Sequence, residues 1–152
     1  MWRNNICEVY MLDFLNITKA LTDENRLRIL MALRNRELCV CQVTAFLDLA
    51  PSTTSKHLSI LRQARLIESA KHGKWVYYRL ADPGQSNKTV QDALALVLRS
   101  LASHPAILRD EEHFKEILRR EDALCEHFEG LEKDYMHSPE IHSLESGDGE
   151  EA

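Results

Sequence analysis

The sequence lacks a membrane-spanning run: its longest apolar stretches fall far short of the roughly 20 residues that a bilayer helix needs. The N-terminal residues also lack a basic-then-apolar signal pattern, so a cytoplasmic chain with no membrane partner is expected. A catalytic constellation is missing as well. His57, His72 and the cysteines are candidate base and nucleophile types, but no motif ties them together, and an enzyme is not expected. Cysteine is sparse, with four residues among 152: Cys7, Cys39, Cys41 and Cys125. A chain of this size has room for one domain with a working core and needs no disulfide framework, which directs these thiols toward metal binding or redox chemistry.

The net charge of -5 argues at first against an acidic partner. Its distribution reverses that impression. Between Pro51 and Leu80 the charged residues are Lys56, Arg62, Arg65, Lys71, Lys74 and Arg79 against Glu68 alone, whereas beyond Asp110 the balance swings strongly acidic.

Apolar spacing predicts a first helix over Met11 to Leu21, with Leu12, Leu15, Ile17 and Leu21 as its buried stripe. Thr22-Asp23-Glu24 supplies a cap and an acidic first turn for a second helix through Asn35, with Leu27, Leu30, Met31 and Leu33 inward. Glu37-Leu38-Cys39-Val40-Cys41-Gln42 follows and carries two thiols one residue apart. On a helix such residues are rotated by roughly 200° and cannot address one ligand, whereas in extended chain they share a face. The pair can therefore grip one soft ion at the entrance of a helix. Alternatively, both are buried structural cysteines.

Val43 to Leu49 has room for a short helix, Ala50-Pro51-Ser52 breaks it, and Ser52 to Ala64 forms the next, with Leu58 and Leu61 inward. Two short helices across a tight turn, the second rich in Ser, Thr, Lys and His, have the form of a helix-turn-helix. Leu66 to Ala70 and Trp75 to Leu80 then read as a hairpin whose tip carries Lys71, His72 and Lys74. A helix-turn-helix followed by a basic-tipped hairpin is a winged helix, which makes DNA the expected partner.

Beyond a loop at Asp82 to Asn87, Thr89 to Ser103 presents a broad apolar face of Val90, Ala93, Leu94, Val97, Leu98 and Leu101. With the first helix it is expected to meet a second copy of the chain. His104-Pro105 ends that helix, and Arg109 to Leu131 forms another. The fold class expected is mainly α with a small β-hairpin: a winged helix-turn-helix with N- and C-terminal dimerisation helices over 11–104. An acidic helical extension over 105–135 and a disordered tail over 136–152 follow it.

Four ordered motifs, the run from Leu21 to Leu30, ELCVCQ from Glu37, SKHLSILRQARLI from Ser55 and KWVYYRL from Lys74, resemble the ArsR/SmtB family of metal- and metalloid-responsive repressors over about residues 12 to 104. The resemblance implies a cytoplasmic homodimer that sits on operator DNA until an inducer releases it. It implies no permanent cofactor. Members sharing ELCVC bind trivalent arsenic or antimony through the thiols carried here by Cys39 and Cys41, with a third cysteine a little downstream. Thr44 stands in that third place here, and Cys7 or Cys125 is the candidate substitute. Zinc-sensing relatives use carboxylate and histidine ligands on the helix corresponding to Thr89 to Ser103; Asp92 is present, but Leu94 stands where a histidine is wanted, so no such zinc site is expected. Ser52, Thr53, Ser55, Lys56 and His57 are the residues expected to read or position DNA, with Lys71 and Lys74 on its backbone. A repressor responding to thiol oxidation at Cys39 and Cys41 is the alternative.

Overall fold

The computed structural model describes residues 5–120, with side chains described from Tyr10 onward. Six helices and a three-stranded sheet follow in the order α1 (Asn5–Ala20), α2 (Glu24–Ala32), β1 (Leu38–Cys39), α3 (Val40–Leu47), α4 (Pro51–Gln63), β2 (Ile67–His72), β3 (Trp75–Leu80), α5 (Lys88–Leu101) and α6 (Pro105–Leu118). The core lies between α2, α3 and α4, where Ile29, Leu30, Leu33, Val43, Leu58 and Leu61 are buried together with Leu66 and Ile67 of the segment that leads into the sheet.

Local chemistry explains most boundaries. Asp23 caps α2 by accepting a hydrogen bond from the Arg26 amide at 3.1 Å, as the sequence leads one to expect, but the helix tightens into a 3-10 turn over Leu33–Asn35. Helix α3 begins at Val40, three residues before the start expected at Val43, because Cys39 takes extended backbone as N-cap and its amide donates to the Gln42 side chain at 2.8 Å. Asp48, at φ 52, closes α3 and opens the turn into α4. Pro51 occupies the first turn of α4, where its missing N–H costs nothing.

In the hairpin, His72 pairs with Trp75 across the two-residue turn Gly73-Lys74, and Gly73 has φ 64, a backbone region that glycine enters without steric penalty. Beside β3 lies β1, which the sequence does not announce. Leu38 pairs with Tyr78 and Cys39 with Tyr77, so the wing is a three-stranded sheet with the order β1-β3-β2. Two residues are too few to carry a periodicity, and only the tertiary pairing reveals them.

At the far end, Pro105 starts a helix instead of merely ending one: His104 caps α6 by accepting from the Ala106 amide at 3.3 Å, and the helix runs to Leu118. The part of the expected helix past Arg120, the tail over 136–152, Cys125, His127, His137 and His142 lie outside the described residues.

Two apolar stripes differ from expectation. On α1, Ile17 is buried but Leu12 and Leu15 are 58% and 53% exposed, next to exposed Tyr10, Met11 and Phe14. On α5, Leu94 and Val97 are buried within this chain, and Leu96 is the large side chain left facing out. The first helix therefore carries apolar surface that the other described residues do not cover.

Candidate DNA-binding face and thiol site

Helix α4 divides cleanly by face. Thr54, Leu58 and Leu61 are buried, whereas Ser52, Thr53 and Lys56 are exposed and Ser55 is half-buried at the N-terminal end. That end also offers backbone amides and the positive end of the helix dipole, both suited to phosphate. On the wing, Lys71 and Lys74 are exposed, with the Lys74 ammonium 5.3 Å from the centre of the Trp75 ring. Arg79 is engaged by Glu68 at 3.1 Å, which mutes its charge.

His57 does not join this face. Its side chain is 12% exposed, with Nδ1 3.4 Å from the Arg26 guanidinium and 3.8 Å from Asp23. Arg26 in turn donates Nε to the Ala20 carbonyl at 2.7 Å and Nη2 to the Lys19 carbonyl at 3.2 Å. It thereby satisfies the C-terminal carbonyls of α1. Thus the structure places His57, expected from the sequence to read or position DNA, in a polar link joining α1, α2 and α4. The role of Arg26 was missed in the sequence, since its acceptors at Ala20 and Lys19 are backbone atoms of a different helix and His57 is distant in the chain.

The thiols meet at the junction of wing and helix-turn-helix. Cys39 ends β1 and caps α3, Cys41 lies in the first turn of α3, and the two sulfurs are joined as a disulfide with their Cα atoms 5.5 Å apart. The two sulfurs thus converge at a helix entrance, where the extended backbone of Cys39 brings them to one side, and they are joined although a core of this size needs no disulfide framework. Burial is deeper than an entrance implies: Cys39 is 2% and Cys41 0% exposed.

Three residues on from Cys41, and so on the same side of the helix, Thr44 is 5% exposed, and its hydroxyl is buried without a hydrogen-bond partner. The donor set gathered here is two sulfurs, which suit a soft thiophilic ion, and one hydroxyl, which does not. The side chain of Cys7 is not among those described. Among the described residues no group of three or more His, Cys, Asp or Glu gathers as a metal site, here or elsewhere, and Asp92 pairs with Lys88.

A reader helix, a basic hairpin and a buried thiol pair between them define a winged-helix DNA-binding regulator. Residues 23–69 match the family described as bacterial regulatory protein, arsR family. The chain is similar to the arsenical resistance operon repressor of Escherichia coli (strain K12), 39% identical over 82 residues that cover 52% of this chain and 70% of the relative. It is also similar to the cadmium resistance transcriptional regulatory protein CadC of Listeria innocua serovar 6a, 48% identical over 61 residues, spanning 40% of this chain and 51% of that protein. Among solved structures it resembles a homodimeric winged helix-turn-helix DNA-binding domain from Mycobacterium bovis, with a TM-score of 0.54 and 25% identity over 69% of this chain and 93% of that one. The chain belongs to the arsR family of transcriptional repressors, whose members bind DNA and are not enzymes. No helix among the described residues is long and apolar enough to cross a membrane.

Proposed function

We propose that this protein is a homodimeric repressor that leaves its operator when trivalent arsenic or antimony is captured by Cys39 and Cys41. The observation that carries the reading is the convergence of the two sulfurs at the N-cap of α3. The arsenical resistance function in the name of the Escherichia coli relative supports the same inducer class. Once a cellular dithiol has reduced the Cys39–Cys41 disulfide to two thiols, the trivalent ion would bind both sulfurs in place of two of its hydroxides, which leave as water with the thiol protons. Because Cys39 is paired to Tyr77 in the wing and α3 packs on α4, a change at the thiols reaches both DNA-contacting elements within one layer of packing. A coupling of about 1 to 3 kcal/mol would weaken operator binding by about 5- to 150-fold, which suffices for release.

Ser52, Thr53, Ser55 and Lys56 meet the major groove, and Lys71 and Lys74 meet phosphates beside it. Exposed apolar surface on α1 is where the second copy docks. A third thiolate comes from Cys7 or Cys125, of the same or the other subunit.

A gel shift on the chain's own upstream DNA, repeated with arsenite and with peroxide, tests this. Release by arsenite that is lost in Cys39→Ser and Cys41→Ser supports the reading, and a raised arsenite requirement in Cys7→Ser or Cys125→Ser identifies the third ligand. Normal arsenite release in both Cys39→Ser and Cys41→Ser rejects it, as does release by peroxide alone.

A further inference from the structure

Helix α6 lies outside residues 23–69, which match the family, and supplies neither the reader helix nor a strand of the wing. Its inward face nevertheless meets the thiol segment from two sides. Asp110 accepts two hydrogen bonds from Arg28 of α2, each at 2.8 Å, and this pairing holds the guanidinium pKa above its ordinary value. The same guanidinium lies 5.2 Å from the centre of the Phe46 ring of α3. Phe46 meets Phe114 of α6 edge to face at 5.6 Å, and Arg36 lies over Phe114 at 4.8 Å while bonding to Glu111. The result is a ladder of cation, ring, ring and cation, closed at each end by a carboxylate from α6.

What the ladder holds is specific. Phe46 is part of α3, the helix that Cys39 caps and Cys41 enters, and Arg36 stands directly ahead of the Glu37-Leu38-Cys39 approach. One element therefore grips both the approach to the thiols and the helix beyond them. Since Cys39 and Cys41 are buried, any reagent must wait for this segment to open, and opening it displaces Arg36, Phe46 or both from the ladder.

We propose that α6 is a positioning clasp for the thiol segment, with Asp110, Glu111 and Phe114 as its positioning residues. It resists opening at Cys39 and Cys41 and so, resting on the metalloid reading above, sets the inducer concentration at which the repressor lets go. Loosening the clasp leaves both sulfurs and the DNA-contacting side chains in place while lowering the resistance to be overcome.

The test uses the full chain with Glu111→Gln, Asp110→Asn and Phe114→Leu, and Val90→Ala in α5 as a destabilised control remote from the clasp. Iodoacetamide alkylation of the reduced protein, located by mass spectrometry and performed without any metalloid, should be about fivefold faster or more at Cys39 and Cys41 in the clasp variants than in a control matched in Tm. The arsenite midpoint for release of operator DNA should fall by a similar factor. Glu111→Gln and Asp110→Asn remove charge without opening a cavity, so they report even if Phe114→Leu does not fold. Alkylation no faster than in the control for all folded variants overturns the clasp, as does an unchanged arsenite midpoint in a wild type that responds. Faster alkylation with no arsenite response in any protein, wild type included, sinks the metalloid reading and leaves the clasp supported.

Discussion

At the scale of single residues, the proposed chemistry rests on the two cysteines and Thr44. A buried hydroxyl without a partner costs about 1 to 3 kcal/mol, and its isostere without the hydroxyl does not carry that cost. Thr44→Val should therefore raise stability by about 1 kcal/mol, read as an increase in Tm, and a loss of stability would mean that the hydroxyl has a partner after all. Thr44→Cys, in contrast, adds a soft donor on the face of α3 that already carries Cys41. It should lower the arsenite needed for release in the gel shift; an unchanged midpoint would mean that position 44 does not face the ion. The cysteine variants will not be silent in stability either. Burial of both side chains predicts a cost of about 1 to 3 kcal/mol for Cys39→Ser or Cys41→Ser, so loss of arsenite response must be read alongside a melting curve that proves the variant folded.

Between elements, function depends on how α3 is held on each side: by β3 through the pairing of Cys39, by α4 across the turn at Asp48, and by α6 through Phe114. On the proposed reading, DNA contacts divide between α4 and the hairpin. Each of Lys56, Lys71 and Lys74 assigned to a phosphate should, when changed to Gln, weaken binding across all sequences and reduce the slope of log K against log salt by about one unit. Identical slopes in wild type and all three variants would reject the face. His57→Ala belongs to another class of effect. Because the ring sits against Arg26 and Asp23, its loss should lower Tm and leave the salt slope unchanged. A reduced slope with unchanged Tm would return His57 to the DNA.

For the whole molecule, the proposed assembly has a defined surface. Tyr10, Met11, Leu12, Phe14 and Leu15 expose a row of large apolar side chains along α1, more than scattered surface hydrophobics account for. A charge at Leu94 or Val97, the positions that the apolar pattern of α5 first suggests, would strike this chain's own core and report unfolding. Leu15→Glu and Phe14→Asp instead test association itself. Sedimentation of either variant should give a folded monomer that binds a half-site poorly, whereas a wild type that sediments as a monomer at micromolar concentration would remove the dimer.

Local patterns alone determined a good deal: the helix-turn-helix and wing from apolar spacing, the turn at Ala50-Pro51 and Gly73, and the pairing of a C-x-C thiol motif with a reader helix. These are interactions between residues near in sequence, and near neighbours leave periodicities and caps that can be read directly. Only the tertiary structure decided the remainder. Leu38 and Cys39 became a strand because Tyr77 and Tyr78 pair with them, His57 turned inward because Arg26 of another helix lies within reach, and Leu12 and Leu15 differ from Ile17 on the same apolar stripe only by which neighbour covers them. The clasp of α6 joins Arg28 to Asp110 and Arg36 to Glu111 across about half of the chain's length, and partners that far apart leave no mark on the local pattern of either segment.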